Sequence, residues 1–290
     1  MMLKISLNQN IIKIPSKKIG IDMGQSLSKL AYLEDNEIIL HIFSTQTEIS
    51  ALKEFLDSRK SQWNNFNFTG GKSYELYTKY LKESNINLIN EFKANVKGIE
   101  FLHILEKEVD LPRSLVVTIG TGTSIVLKND SFEHIGGSAL GGGFFMGFIK
   151  ALFNLYDFSE AMNLAKKGNR YNVDLKVSDI YSPEDNRIDR LFREFTAASL
   201  GKLDEKFQIR SLKKEDLIAS VICMIGENIG TIATLMAINK NVNDIVFSGG
   251  FLKENKVLKK ILSLICKVNK IKAIFLKNPE FSAAIGALLI

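Results

Sequence analysis

The sequence predicts an α/β chain built as two related halves, and three observations carry that prediction. Residues 18–43 (KIGIDMGQSLSKLAYLEDNEIILHIF) and 114–137 (SLVVTIGTGTSIVLKNDSFEHIGG) follow one plan: an apolar strand, a tight polar or glycine turn, a second strand, a turn and a third strand. Each plan is followed by alternating helical and strand patterns, as expected where strands are covered by helices. Pro112 then interrupts the pattern near Asp110–Arg113, because the residue ahead of a proline is steered out of the helical region. The halves are therefore placed at 18–111 and 112–290, with residues 1–17 as a basic N-terminal extension. A chain of 290 residues is long enough for two such units, each with a core.

In the first half, the strand that reaches Asp22 turns at Gly24 and returns as strands near Lys29–Leu33 and Ile38–Phe43. An amphipathic helix is expected over Thr47–Arg59, then a strand over Trp63–Thr69 ending in Gly70-Gly71. A helix over Ser73–Ser84, a short strand at Asn87–Ile89 and a helix over Ala94–Leu105 follow. In the second half, Leu115–Ile119 reaches Gly120-Thr121-Gly122, returns through Ser124–Lys128 and turns at Asn129-Asp130. Next come a glycine-rich loop, two helices within Gly143–Lys167, and an irregular stretch over Gly168–Ile188 containing Pro183. The chain closes with a long helix over Lys213–Asn239, a strand at Asp244–Phe247, Gly249-Gly250, a helix over Leu252–Cys266, a strand at Ile271–Phe275 and a helix from Ser282.

Composition narrows the function classes. Hydrophobic residues at 46% and charged residues at 24% give an ordinary globular balance, not a disordered or fibrous one. The longest apolar runs, Leu115–Ile119 and those around Thr231–Ile238, fall short of the roughly 20 residues that cross a bilayer. No membrane partner is expected. The N-terminus has no continuous apolar core and no small-residue cleavage site, so it does not resemble a signal peptide, and a cytoplasmic location is expected. Cys223 and Cys266 stand apart, without a Cys-x-x-Cys spacing or a histidine at metal spacing, and read as buried thiols in a reducing compartment. The net charge of +6 is concentrated in Lys4, Lys13, Lys17 and Lys18 and in the lysine-rich stretch 251–277. No aromatic residues interleave it in a basic stripe, so no nucleic-acid partner is expected.

Several turns carry residue types suited to a phosphate chain. A strand delivering Asp22 into Gly24-Gln25-Ser26 sets backbone N–H groups and a hydroxyl beside a carboxylate, which suits phosphates with Mg2+ held by Asp22 through water. The same turn also suits a plain hairpin with a solvated carboxylate. Gly120-Thr121-Gly122-Thr123 offers glycines for close approach and hydroxyls for phosphate oxygens, and it recurs at the equivalent place in the second half. Gly136–Gly143 holds Gly136, Gly137, Gly141, Gly142 and Gly143, and as a loop opening a helix it would offer unpaired N–H groups to an anion. Gly249-Gly250, between a strand and a helix, would let a flat adenine ring lie against backbone, or serve as an ordinary turn. Glu91, after a short strand and ahead of a helix, is either a dipole partner or a carboxylate placed to take a proton from an attacking hydroxyl.

Taken in order and spacing, GIDMGQSLSKL, FTGGKSYEL, NEFKANVKGIEFL, TIGTGTSI, HIGGSALGGGFFMG, FTAASLGKL, FSGGFLKEN and FSAAIGALL resemble the type II pantothenate kinases over roughly residues 18–290. That resemblance implies a duplicated ribonuclease H-like, actin-like ATPase fold, with two α/β halves around a nucleotide cleft. It implies ATP and Mg2+ as cofactors and phosphorylation of the primary hydroxyl of pantothenate, the first step of coenzyme A synthesis. It puts the catalytic glutamate at Glu91, the first phosphate loop at Asp22–Ser26 with its lysine at Lys29, and the second phosphate turn at Thr121, whose hydroxyl also approaches substrate. It puts the glycine loop at Gly136–Gly143 and the adenosine segment at Gly249-Gly250. A homodimer is implied, with dimerisation helices in the second half and Ala197-Ala198-Ser199 near the interface and the partner's substrate site. An acyl-CoA feedback ligand belongs to the same expectation.

Two departures stand out. His134 occupies the place of a family arginine that contacts substrate near the reacting hydroxyl, and histidine is shorter, lacks the bidentate fork and is mostly neutral at pH 7. Gln25-Ser26 replaces the usual Gly-Thr and adds a side chain where backbone would approach phosphate. A kinase for pantetheine or another small alcohol therefore stays open, as does a catalytically weak member that binds nucleotide or acyl-CoA. The activator of radical dehydratases shares the fold but needs clustered cysteines, which Cys223 and Cys266 do not offer.

Overall fold

The computed structural model describes residues 2–6, 14–80, 85–187, 193 and 195–290, with the side chain of Ile209 excepted. Lys13, the positions 81–84 expected to end a helix, and Ile188 lie outside the described residues.

Strands β1 (Met2–Ser6), β2 (Lys18–Met23), β3 (Leu27–Glu34), β4 (Glu37–Ser44), β5 (Asn65–Thr69) and β6 (Ile86–Leu88) form one sheet in the order β1-β4-β3-β2-β5-β6. β2, β3 and β4 are an antiparallel meander, whereas β5 and β6 extend it in parallel from β2. Helices α1 (Ile49–Arg59), α2 (Ser73–Tyr80) and α3 (Glu91–Lys107) interleave with them. The second sheet contains β7 (Ser114–Ile119), β8 (Thr123–Lys128) and β9 (Phe132–Ser138). Then come α4 (Gly142–Phe153), α5 (Phe158–Lys167), a two-stranded hairpin of β10 (Leu175–Lys176) and β11 (Thr196–Ala198), and α6 (Lys214–Asn239). β12 (Asp244–Ser248), α7 (Lys256–Val268), β13 (Lys272–Phe275) and α8 (Ser282–Leu289) complete the chain. The second sheet runs β13-β12-β7-β8-β9, with β12 and β13 parallel to β7 and the meander antiparallel. Strand for strand, β4-β3-β2-β5-β6 and β9-β8-β7-β12-β13 share order and direction, so the likeness of the two sequence stretches is a duplicated fold.

Strand alternation sorts the side chains into three cores. Ile19, Ile21 and Met23 of β2 pack with Leu52 and Leu56 of α1 and Leu76 and Tyr80 of α2. The opposite face of that sheet, through Ala31, Ile38 and Leu40, meets α3 and α8, which also touch Val116, Val126 and Val246 of the second sheet. α3 and α8 thus lie between the two sheets. Leu115, Val117 and Ile119 of β7 point the other way, into a core shared with α4, α5, α6 and α7. α6 is long and apolar enough by composition to cross a membrane, but Ile218, Ile222, Ile225, Ile229 and Ala233 fill this core. Its apolar length belongs to protein packing.

Two expectations about the ends are corrected. Residues 2–6, expected in an extension, are the edge strand β1, paired antiparallel with β4. The charge of the arm hid a period-two pattern: Leu3 and Ile5 pack on the inter-sheet core, while Lys4 turns out to an ion pair with Glu37 at 2.9 Å. Ile14 also packs in that core. At the other end, α8 follows the second half in sequence but also packs on the first sheet. Asn67 Nδ2 of β5 donates to Ala287 O at 2.6 Å, which ties α8 to the first sheet.

The hairpin β10–β11 is held to α6 by a buried ionic network. Arg170 donates through Nε to Asp174 at 2.6 Å and grips Glu227 with both terminal nitrogens, at 2.7 and 3.2 Å. Thr196 Oγ1 donates to Glu227 at 3.0 Å, and Asp174 accepts from Leu200 N–H and the Ser220 hydroxyl. Burial beside this network pushes the Cys223 thiol up to about 11, against the opposing pull of Arg170, and burial alone pushes Cys266 up to about 12. Both thiols are therefore expected to resist iodoacetamide in the folded chain at pH 8 and to alkylate fully in denaturant, as mass spectrometry would record.

Candidate active site

β2 carries Asp22 to the face that looks toward α3 and α8, opposite Lys29 on β3 and beside Thr69 on β5. Lys29 Nζ lies 3.1 Å from Asp22 Oδ2, and both side chains are largely buried. The turn that follows is closed on itself. Gly24 N–H donates to Leu27 O at 3.0 Å, and the Thr45 hydroxyl donates to Gly24 O at 3.0 Å and sits 2.9 Å from Ser28 Oγ. Gly24 therefore has no N–H to spare for phosphate, and the exposed tip belongs to Gln25 and Ser26. Gly70, at φ +88°, lets the end of β5 fold against Asp22, because a Cβ there would stand 2.7 Å from Asp22 Oδ1.

Glu91 opens α3. Asn90 caps that helix, its side chain accepting from Phe92 N–H at 2.9 Å and Lys93 N–H at 3.1 Å, so the helix starts three residues earlier than the apolar pattern alone suggested. Burial of its carboxyl end pushes the Glu91 pKa up, Asp22 pushes it further by like charge, and Lys29 opposes both. The three charges therefore share one electrostatic neighbourhood, although Glu91 as a residue is exposed. One helical turn on, buried Asn95 donates to Thr118 Oγ1 on β7, two residues ahead of Gly120. His134 also reaches α3. A bulge in the β8–β9 pairing sets His134 opposite Val126, on the inter-sheet side, where its ring stacks on Phe92 with centroids 4.3 Å apart.

Three glycine stretches meet at the end of β7. Gly142 and Gly143 N–H groups donate to Gly120 O and Thr121 O at 2.7 and 2.8 Å, and Thr123 Oγ1 donates to Leu140 O at 2.8 Å. A Cβ at Gly141 would lie 2.7 Å from Thr121 O. This corrects two expectations. Gly136, Gly137 and Ser138 belong to strand β9, because they pair in register with Ile125, Ser124 and Thr123 of β8, so the glycine loop is shorter than expected. The N–H groups of Gly142 and Gly143 are spent on the second turn, so these glycines serve close packing and not anion capture. Gly120 N–H is likewise taken by Gly122 O at 2.8 Å. Gly249, at φ +101°, packs on the Ile119 backbone, while a Cβ at Gly250 would meet nothing within 4 Å.

Asp22, Lys29, Glu91 and His134 thus gather around the start of α3, whose Asn95 bonds Thr118 of the strand leading to Thr121, and Gly249 packs on Ile119 of that same strand. Ser199 is not among them. It follows β11, whose described contacts run to Asp174 and α6 and not to Glu91. Thr69, Asn95 and Thr118 escaped the sequence reading, since single polar residues inside apolar elements carry no local signal. Gly70-Gly71 was legible as a turn, and its place at the end of a parallel strand was the available clue.

The profile of the Fumble family matches residues 36–290. A type II pantothenate kinase from Oceanobacillus iheyensis is 36% identical over 277 residues, covering 94% of this chain and 99% of its own. One from Bacillus cereus (strain AH820) is 32% identical over 279 residues, covering 93% and 96%. Among solved structures, the fold is similar to the activator of the 2-hydroxyisocaproyl-CoA dehydratase from Clostridium difficile with bound ADPNP, at TM-score 0.62, 16% identity and coverage of 94% and 92%. It is also similar to a ROK family glucokinase from Streptomyces griseus in complex with glucose and AMPPNP, at TM-score 0.56, 9% identity and coverage of 93% and 97%. These two structural likenesses establish the actin-like ATPase fold, and the sequence relatives go further: the chain belongs to the type II pantothenate kinase family.

Proposed function

We propose that the chain is a cytoplasmic, ATP-dependent pantothenate kinase that converts pantothenate to 4'-phosphopantothenate in the first step of coenzyme A biosynthesis. The observation that carries this reading is the shared neighbourhood of Glu91, Asp22 and Lys29, with Glu91 on a helix whose Asn95 bonds Thr118 two residues ahead of the second turn. Glu91 accepts the proton of the primary hydroxyl as that oxygen bonds to the γ-phosphorus, and the bond from that phosphorus to the β–γ bridging oxygen breaks to release ADP. A raised pKa makes Glu91 a stronger base once ionised. Lys29, with Gln25 and Ser26 at the first tip and Thr121 and Gly122 at the second, would hold the phosphates, whereas the Thr123 hydroxyl is spent on Leu140 O. Gly249 and Gly250 would lie against adenosine.

The residues present fit Mg2+. Asp22 is a carboxylate on one wall, and buried Thr69 Oγ1, in register beside it, has no protein partner and suits an ordered water. Among the described residues no cluster of three or more His, Cys, Asp or Glu could cage a metal, which accords with an ion held mainly by water and phosphate oxygens. When bound, Mg2+ supplies charge neutralisation at the transferring phosphoryl group. A homodimer that brings Ser199 toward the partner's substrate site, and feedback by an acyl-CoA, belong to the same proposal. A coupled ADP-release assay of the purified chain with pantothenate, pantetheine and glucose tests it, and absence of pantothenate-dependent ADP release overturns it.

One observation favours a second reading. At the start of α3 the neighbour of Glu91, Phe92, stacks on the His134 ring, and not on a guanidinium. His134→Arg is expected to raise pantothenate turnover about tenfold, the value of one charge-assisted hydrogen bond. Pantetheine preferred by the parent chain, with no gain from His134→Arg, would assign a different alcohol as substrate.

A further inference from the structure

We infer that Asn95 is a positioning residue for this phosphotransfer, its buried amide fixing the start of α3, and with it Glu91, against the second turn. The inference rests on the reading of Glu91 as the base. Glu91 and Asn95 are four residues apart in one helix and so lie on one side of it. Asn95 is 4% exposed. Its Nδ2 donates to Thr118 Oγ1 on β7, and its Oδ1 accepts from the Ser282 hydroxyl at the start of α8. Ser282 Oγ lies 3.1 Å from Ser248 Oγ, the residue before Gly249, and the single Ser248 proton goes either to Ser282 Oγ or to Pro279 O at 2.9 Å. One amide therefore ties the base-bearing helix to β7, to the strand that ends at the adenosine segment, and to the helix packed on the first sheet.

A leucine would fill this space as well as an asparagine does. What the amide adds is a fixed distance, since both of its ends are bonded, one to the Thr118 hydroxyl on β7 and the other to the Ser282 hydroxyl on α8. A rotation or slide of α3 breaks two buried bonds at once and leaves buried polar groups without partners. That restraint matters because like charge pushes Glu91 away from Asp22, while catalysis needs it held within reach of a hydroxyl beside the phosphates.

The test compares Asn95→Leu, the double variant Asn95→Leu with Ser282→Ala, Thr118→Val and Glu91→Gln with the parent chain, reading kcat, KM for ATP, the kcat–pH profile and Tm. Asn95→Leu is expected to lower kcat about 10- to 100-fold, to leave KM for ATP within twofold and to move the acid limb of the pH profile, because a 1 Å misplacement costs on the order of 100-fold. In Asn95→Leu the Ser282 hydroxyl still has Pro279 O as an acceptor at 2.9 Å, so the double variant is expected to keep the kcat loss of Asn95→Leu. Parent-like kcat and pH limb in Asn95→Leu, or recovery of kcat together with Tm in the double variant, would make Asn95 merely structural and overturn the inference. Should Asn95→Leu fail to fold, Thr118→Val, which removes only the acceptor of the amide, is read by the same criteria. Full turnover in Glu91→Gln removes both the base and its positioning, whereas an inactive Glu91→Gln beside a fully active Asn95→Leu sinks the positioning alone.

Discussion

Glu91→Gln is expected to lower turnover roughly 10²- to 10⁴-fold, the usual worth of a positioned general base, while ATP affinity stays within a few-fold of the parent. The amide keeps the shape and the cap geometry of α3, whose N-cap bonds come from Asn90 and not from Glu91. What disappears is a carboxylate beside Asp22 and Lys29 that forms no ion pair with the lysine among the described residues. Parent-like turnover in single-turnover experiments would remove Glu91 from the chemistry.

The raised pKa of Glu91 gives this variant two further signatures. In the parent, turnover should rise with pH along an acid limb displaced above the ordinary glutamate value, because the base must be ionised, and that limb should vanish from the residual activity of Glu91→Gln. Stability moves in the opposite sense. A carboxyl whose folded pKa exceeds its unfolded one contributes stability fully below the unfolded pKa and loses it as pH rises through the folded pKa. Glu91 is thus a cost to the fold at neutral pH, and Glu91→Gln should melt higher there, the difference shrinking to nothing in acid. Thermal melts across pH would measure it, and a lower Tm at neutral pH would contradict the burial and like-charge origin of the shift.

How far the sequence could be read follows from the range of the forces involved. The meanders were legible because strand alternation and turn chemistry are local, and the turns at Asp22 and Gly120 fell where strand ends are expected. β1 was not, since five residues in a lysine-bearing arm gain strand structure only by pairing with β4, 30 residues away in sequence. Gly136 and Gly137 were misread for a related reason: glycine predicts a loop locally, but the ladder to Ser124 and Ile125 holds both in a strand. At the site, Glu91 needed the family pattern to stand out from other helix-opening glutamates. The Asn95–Thr118–Ser282 bonds join residues 95, 118 and 282, and no local pattern reports a contact of that span.

Gly286→Ala is expected to cost about 3 kcal/mol or more, at the upper end of overpacking effects, and to lower Tm by roughly 6–12 °C. α8 enters the space between the sheets backbone to backbone. A Cβ at Gly286 would overlap the Ala94 carbonyl of α3, one at Gly98 of α3 would overlap the Ser282 carbonyl of α8, and one at Gly20 of β2 would overlap Ala284. No rotamer relieves a clash with a carbonyl, so the whole of α3 must withdraw, and the buried bonds from Asn95 to Thr118 and Ser282 stretch as it does. Turnover should therefore fall beyond what the lost stability explains, measured well below the new Tm. Gly147→Ala in α4 supplies the contrast: nothing lies within 4 Å of its Cβ position, and removing a helical glycine should stabilise by about 0.5–1 kcal/mol. If Gly286→Ala melted like Gly147→Ala, the close crossing of α8 over α3 would be wrong, and the placement of Glu91 that depends on it would lose its support.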